Sequence, residues 1–289
     1  MKPPPFDYRR CTSLEEALGL LSQHGADAKV LAGGQSLMPM LNFRLLRPTM
    51  LVDIGRIAAL SGVAEDAGGI TIGALTRHRI LQTDPRVATR FPVLAEAMSH
   101  VAHLAIRNRG TIGGSLSHAD PAAELPMMAL LLDATLTLRR EGGTREVAAA
   151  DFFLGSLVTA LEPEELLTAV RLPALPAGAG WGFEETAPRA GDFATAAAAA
   201  ILTRRGGAVT SARIAVMGVH ETALRLSDVE TMLIGGGPER FADAARMAPR
   251  AVEPNSDLRG SADLRRRLVE VQVGRVLASA WSRTTETAA

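Results

Sequence analysis

Two short glycine pairs are the places where this sequence could do chemistry. The first lies in VLAGGQSLMPML (30–41), where an apolar run enters Ala32-Gly33-Gly34-Gln35-Ser36. The second lies in RNRGTIGGSLSHADP (107–121), within Thr111-Ile112-Gly113-Gly114-Ser115. A glycine pair permits positive φ and removes two Cβ atoms, so successive N–H groups can converge on an anion. A helix starting just after would add the positive end of its dipole. In each stretch a serine follows the glycines and can donate to a phosphate oxygen. Neither stretch matches G-x-G-x-x-G or G-x-x-x-x-G-K-[ST], the two commonest nucleotide cradles. Taken singly, each pair reads equally as a tight turn. Two with one layout, facing each other, would suit a dinucleotide pyrophosphate, which carries charge on two phosphorus centres.

The neighbouring polar residues have double readings. Asp120 can accept from a ribose or ribityl hydroxyl, or it can cap the helix predicted over 122–134 with Pro121 at its first position. His118 sits in the same loop. His100 and His103 are predicted on one helix face, without the further ligands a metal needs. Glu162, Glu164 and Glu165 read as a solvated turn around Pro163. Trp181, Phe183 and Phe193 bracket EETAPRAGD in a chain with 4% aromatic residues. They either pack in the core or wall a flat ring system. No G-x-S-x-G nucleophile elbow is present.

Composition narrows the classes. The chain has 289 residues, 47% hydrophobic and 21% charged, which fits a packed globular protein of two ordinary domains or one large one. Lys+Arg and Asp+Glu both number 31. A nucleic-acid binder would carry a basic excess or stripe, and neither is seen. Cys11 is the only cysteine, so no intrachain disulfide, Cys-rich zinc site or Cys-ligated iron–sulfur cluster can form. The start MKPPPFDYRR lacks an apolar signal segment, and the apolar run 126–134 is too short to cross a bilayer. A cytoplasmic protein without a transmembrane segment is expected.

The elements that would position the glycine pairs can be read from pattern. Ser13 with Glu16 matches a capping box for a helix ending at Gly25. A strand enters the first glycine pair, a helix follows until Pro48, and MLVDI (50–54) reads as a buried strand. GGITIGALT (68–76) is a strand signal, 91–103 a helix, 136–147 a hairpin turning at Gly142-Gly143, and 166–173 a strand. PALPAGAG (173–180) reads as a linker. Three strand-like runs follow in a meander, and a long amphipathic helix begins after Ser261.

With these residues in view, the chain resembles a known family. AGGQSLMPMLNFRLLRP (32–48) and RGTIGGSLSHADPAAELP (109–126) closely resemble the two FAD-binding signatures of the medium, flavin-carrying subunit of molybdenum hydroxylases, the carbon monoxide dehydrogenase and xanthine dehydrogenase group. GFEETAPRAGDFATAA (182–197) and DLRGSADLRRRL (257–268) continue the likeness over nearly the whole chain. The resemblance implies an α+β fold. An FAD-binding domain of the vanillyl-alcohol oxidase type would span 1–175, with subdomains of about 1–55 and 56–175. A C-terminal domain over 178–289 would hold a three-stranded antiparallel sheet and a helix bundle.

It also implies a role. The chain would carry non-covalent FAD in a heterotrimer, itself paired into a dimer of heterotrimers. A large partner would hold the molybdopterin cofactor and a small partner the [2Fe–2S] clusters that feed the flavin. Ala32, Gly33, Gly34, Gln35, Ser36, Thr111, Ile112, Gly113, Gly114 and Ser115 would bind the pyrophosphate region. Asp120 would bond the ribityl chain, Phe193 would lie near the isoalloxazine, and Leu161 would pack on it. No catalytic or metal-binding residue is implied. A stand-alone FAD oxidase of the same flavin fold is the alternative. Gln35 stands where some members have histidine, Glu185 where many have lysine, and Pro188 where arginine is common.

Overall fold

The computed structural model describes residues 2–286. The chain opens with β1 (Asp7–Arg10), α1 (Leu14–His24), β2 (Ala28–Leu31), α2 (Leu37–Asn42) and β3 (Met50–Asp53). The three strands pair in parallel, in the order β1-β3-β2. Crossover helices are what parallel pairing requires. Ser13 caps α1 by accepting from Glu16 N at 3.2 Å, and Gly25 closes it with φ of 50°. α2 is shorter than its apolar spacing predicts. It stops at Asn42, and Arg44 takes φ of 58°, so the chain leaves the helix before Pro48 is reached.

The second layer is a five-stranded sheet with a helical insertion. Its strands are β4 (Val63–Asp66), β5 (Gly69–Gly73), β6 (Thr135–Arg140), β7 (Gly143–Ala148) and β10 (Leu166–Pro173), ordered β4-β5-β10-β6-β7. Between β5 and β6 run α3 (His78–Thr83), α4 (Pro85–Arg90), α5 (Pro92–His100), α6 (Leu104–Arg107), α7 (Ile112–His118) and α8 (Glu124–Leu131). After β7 come α9 (Ala149–Phe152) and the small hairpin of β8 (Phe153–Gly155) and β9 (Val158–Thr159). α8 is apolar on all sides and buried throughout, the mark of a core helix.

The last layer is an antiparallel meander of β11 (Gly180–Thr186), β12 (Ala196–Arg205) and β13 (Ala208–Met217), as the sequence predicts. A two-residue strand, β14 (Leu224–Arg225), adds a fourth member. α10 (Ser227–Leu233), α11 (Phe241–Met247) and the long α12 (Ala262–Arg283) complete the chain. β12 divides two hydrophobic cores. Ala197, Ala199 and Ile201 face the core shared with the second layer, and Ala196, Ala198, Ala200 and Leu202 face the core under α12. This is the period-two alternation of a strand buried on both faces.

α12 lies directly on β11 because two glycines make room. A Cβ on Gly180 would drive into the carbonyl of Ala280, and one on Gly182 would reach within 2.8 Å of Val276 Cα. Residues two apart on the strand thus meet residues four apart on the helix. Arg265, 5% exposed, anchors the start of α12. It donates to the carbonyls of Thr195 and Gly218, each at 2.6 Å, and in a fork to Asp257 at 2.8 Å. Burial presses the Asp257 carboxyl upward, but the N–H of Arg259 and this fork outweigh it and hold the carboxyl below its ordinary range. Only the Arg265 side of this cluster is buried; Asp257 is half exposed, so the pair acts mainly by fixing the guanidinium over the two carbonyls. Gly182→Ala should force α12 off the sheet and lower stability by about 1–3 kcal/mol, measured by urea unfolding followed through Trp181 and Trp281.

Candidate functional site

The two glycine pairs meet. A Cβ on Gly33 would strike the backbone carbonyl of Arg109 and come within 2.9 Å of Gly110 Cα. The Cβ position of Gly114 is 3.9 Å from Ala32 Cβ. So the turn leaving β2 packs straight onto the segment entering α7.

The first pair forms a cradle. Gly34 has φ of 72°, in the region that favours glycine. Among the described residues, the N–H groups of Gly33, Gly34, Gln35 and Ser36 donate to no protein acceptor. Four successive donors without an acceptor at a strand-to-helix turn are the raw material of an anion nest. Gln35 has a structural part in the turn: its Nε2 donates to the Gly33 carbonyl at 2.9 Å and so occupies that acceptor.

The second pair differs from the sequence reading, which took 107–121 as a glycine-rich turn. Thr111 caps α7, and Gly113 and Gly114 lie in the helix's first turn. Their donors are spent: Ile112 N on Thr76 O at 3.1 Å, Gly113 N on Ala74 O at 2.8 Å, Gly114 N on Thr111 Oγ1 at 3.1 Å. Gly113 is glycine because Ala74 occupies the place of its Cβ. Gly114 is glycine because its Cβ would come within 2.8 Å of Thr111 Oγ1, so this segment offers a ligand its side-chain-free backbone and the Ser115 hydroxyl rather than a second nest.

His78 sets the position of the second pair. Its Nε2 donates to Thr111 O at 3.0 Å, and His78 N donates to Gly110 O. The ring is buried beneath Gly110, and burial pushes its pKa down to about 4, against its one hydrogen bond. It is therefore neutral, and the Nε2–H tautomer is the one that fits the carbonyl.

Beside the nest is a cleft of about 270 Å³ lined by Arg10, Arg56, Arg77 and Arg109, with Asp53 at its wall. Arg77 also donates to the Arg109 carbonyl. Burial and the neighbouring Arg109 charge hold the Arg77 guanidinium below its ordinary value, though it stays protonated. Tyr8 donates to Asp53, and Arg10 sits 3.2 Å from the same carboxylate. Burial raises Asp53, and bonds from Tyr8, the Gly55 N–H and Arg10 overcome that and hold it low. Spacing gave no hint of these arginines, because they come from four separate segments. The arginine-rich, lysine-poor composition was the one available signal.

The remaining predicted residues spread outward. Asp120 does not cap α8, whose N-cap is Ala123. Left-handed Ala119, with φ of 51°, ends α7 and sets Asp120 in a turn. Its Oδ1 accepts from Ala122 N at 2.9 Å, and among the described residues Oδ2 has no partner. Leu161 follows β9, whose hairpin is tied to the end of α7 by Leu157 N donating to Ala119 O at 3.2 Å. Phe193 is 48% exposed, with the Arg259 guanidinium 5.1 Å from its ring centre. Trp181 and Phe183 pack against the core instead, and Phe183 meets His100 at 4.9 Å. His100 ends α5, whereas His103 precedes α6, so the two do not share a helix face. Glu165 is buried, not solvated, in a fork with Arg145 at 2.7 Å.

The family model described as the FAD binding domain in molybdopterin dehydrogenase matches residues 4–175, and that of the CO dehydrogenase flavoprotein C-terminal domain matches 181–280. The chain belongs to this family of FAD-binding oxidoreductase subunits. It is 43% identical to the 6-hydroxypseudooxynicotine dehydrogenase complex subunit alpha of Paenarthrobacter nicotinovorans, over 99% of this chain and 98% of that one. It is similar in structure to carbon monoxide dehydrogenase from Hydrogenophaga pseudoflava, with a TM-score of 0.96, 41% identity, and coverage of 99% and 100% of the two chains. Quinoline 2-oxidoreductase from Pseudomonas putida 86 matches with a TM-score of 0.93, 42% identity, and coverage of 98% and 99%. The chain is thus of the medium, FAD-binding subunit type of molybdenum hydroxylases. No helix among the described residues is long and apolar enough to cross a membrane.

The site fits the cofactor. A row of free N–H groups and arginine charge suit a pyrophosphate, and the absence of side chains at Gly33, Gly34 and Gly114 leaves backbone for it to approach. Two outcomes follow. Gly33→Ala should separate β2 from α7 and lower stability by about 1–3 kcal/mol in urea unfolding. His78 has a folded pKa of about 4, below its unfolded value of about 6.5, so its contribution is present above pH ~6.5 and is lost as pH falls toward 4. Thermal unfolding of wild type minus His78→Asn should show that slope.

Proposed function

We propose that this chain holds FAD non-covalently in a heterotrimeric molybdenum hydroxylase. It would receive electrons from the [2Fe–2S] clusters of a small partner subunit and pass them to an external acceptor. The molybdopterin cofactor belongs on the large partner, and two heterotrimers pair. The one cysteine of the chain supports this division, since an iron–sulfur cluster needs about four ligands. Residues 1–175 form the FAD-binding part in this reading, divided at about 55, and residues 178–289 form the C-terminal part.

The observation that carries the reading is the crossing of Gly33 on Arg109 and Gly110, which packs the turn with four free N–H groups onto the segment that enters α7. Gly33, Gly34, Gln35 and Ser36 hold the pyrophosphate through backbone donors, with Ala32 and Gly114 as the walls. Thr111, Ile112 and Gly113 hold the α7 wall in place, and Ser115 adds a hydroxyl. The free Oδ2 of Asp120 takes a ribityl hydroxyl while Oδ1 keeps its turn. Leu161 and exposed Phe193 supply apolar surface to the ring system. When bound, FAD supplies an electron store that fills and empties singly or in pairs.

The purified chain should be yellow, and its FAD should be released by denaturation. Gly114→Asp presses a Cβ to within 2.8 Å of Thr111 Oγ1 and adds a carboxylate beside Ala32, and should lower FAD content at least tenfold, more than Gly114→Ala, which has the clash without the charge. Protein that is colourless and takes up no added FAD would refute the proposal. Isolation of the complex from its native source should bring a molybdenum subunit and an iron–sulfur subunit with it.

A further inference from the structure

The arginine cleft beside the first glycine pair lies outside the carboxyl ends of all three parallel strands. Arg10 ends β1, Leu31 ends β2 and Asp53 ends β3, and each of them lines it. Open parallel sheets take their ligands at that edge. The charges there are unbalanced. Asp53 is the one acid in the lining, and Tyr8, the Gly55 N–H and Arg10 already occupy its carboxylate. Among the described residues, the guanidinium groups of Arg56 and Arg109 have no acceptor on the protein, and that of Arg77 has one. Ala32 forms part of the wall, and the four free N–H groups begin at the very next residue. The cleft and the row of donors therefore adjoin.

Arg77 is held where the two meet. Its backbone bridges to Thr111, and the next residue donates from His78 N to Gly110 O at 3.0 Å. Its guanidinium donates to the carbonyl of Arg109. A Cβ on Gly33 would strike that same carbonyl, so the guanidinium, the carbonyl and the start of the donor row converge. Arg77 and Arg109 are neighbouring cations with no carboxylate free to lie between them. An anion seated there would exchange their repulsion for charge-assisted hydrogen bonds. A pyrophosphate brings charge on two phosphorus centres. Backbone N–H groups carry partial charge and serve one of them, which leaves the other for a full cation. α7 gives the direction. Arg109 lies just before its Thr111 cap, whereas Asp120 follows the Ala119 that ends it. The seven residues of α7 set its two ends about 10 Å apart. With the ribityl chain at Asp120, the phosphate at the Arg109 end is the one bonded to adenosine.

We propose that Arg77 and Arg109 clamp the adenosine-side phosphate of FAD, and that this clamp makes the site prefer FAD to FMN. The proposal rests on the FAD reading above. The turn at Gly33–Ser36 takes the riboflavin-side phosphate through its N–H groups. Arg77 is the fixed jaw, because its backbone and one N–H are tied to residues 109–111. Arg109 is the free jaw, exposed and without an acceptor of its own among the described residues. FMN has no second phosphate and gains nothing from either side chain. Burial first, and then the Arg109 charge, hold the Arg77 guanidinium below its ordinary value, a cost that the bound phosphate removes.

The test titrates the full chain, stripped of flavin, with riboflavin, FMN and FAD, followed by quenching of flavin fluorescence. Wild type should bind FAD more tightly than FMN by roughly tenfold or more. R77Q and R109Q should each weaken FAD by about tenfold to a hundredfold, the range for one lost charged hydrogen bond, and leave FMN and riboflavin as in wild type. Glutamine at position 77 can still donate to the Arg109 carbonyl, so the loss reads the charge rather than the fold. R9Q removes an exposed arginine of β1 that does not line the cleft, and should leave all three affinities unchanged. Equal FAD affinity in wild type and R77Q/R109Q, or a parallel loss of all three flavins, would overturn the clamp. If wild type takes up no FAD, the FAD reading fails and the clamp with it. If wild type binds FAD and the loss specific to FAD is absent, only the clamp fails.

Discussion

A ligand cradle made from two distant stretches of chain exists only where their backbones can touch. Here that contact is Gly33 against Arg109 and Gly110, where any side chain would hold the segments apart. The parallel pairing of β2 with β3 delivers the first stretch to the edge of its sheet. The neutral His78 ring and the backbone ties of Thr76 and His78 to the 110–112 segment hold the second. Once the contact is fixed, the remaining polar groups sort themselves. Donors at Gly33–Ser36 are left without a protein acceptor, whereas those of Ile112 and Gly113 are spent on Thr76 and Ala74 and those of Gly114 and Ser115 on Thr111.

Much of this was legible from local pattern. The β11–β13 meander, the β6–β7 hairpin and the capped α12 follow from periodicity and turn residues, which act over a few positions. The nature of the second glycine pair was not legible. A threonine-capped helix and a turn use the same residues, and the deciding contact, Ala74 against Gly113, comes from a distant strand end. Asp120 was misread as a cap because nothing local requires Ala119 to adopt a left-handed conformation. Glu165 is buried because Arg145 reaches it from the hairpin. The family resemblance supplied the cofactor, whereas spacing by itself left phosphate binding and simple turn formation side by side.

The site also has an electrostatic direction. Arginines from four segments gather beside the free N–H groups, while Glu124 is buried and Oε2 of Glu185 is sealed from solvent, neither with an ion-pair partner among the described residues. A chain with 31 basic and 31 acidic residues is thus far from neutral on the local scale. The positive end suits a doubly charged phosphate group. Burial pushes Glu124 up to about 8 and Glu185 up to about 7, so their charge responds to pH where an arginine's does not.

β12 has a consequence of a different kind. Its run of alanines leaves the partition between the two cores only a methyl group thick on either face. Long side chains would have formed a cushion, free to change rotamer and absorb strain. Alanine has no such freedom, and close-packed interiors compress little. The partition therefore behaves as a stiff diaphragm: a displacement of α12 on one side must appear, almost undiminished, at α8 on the other.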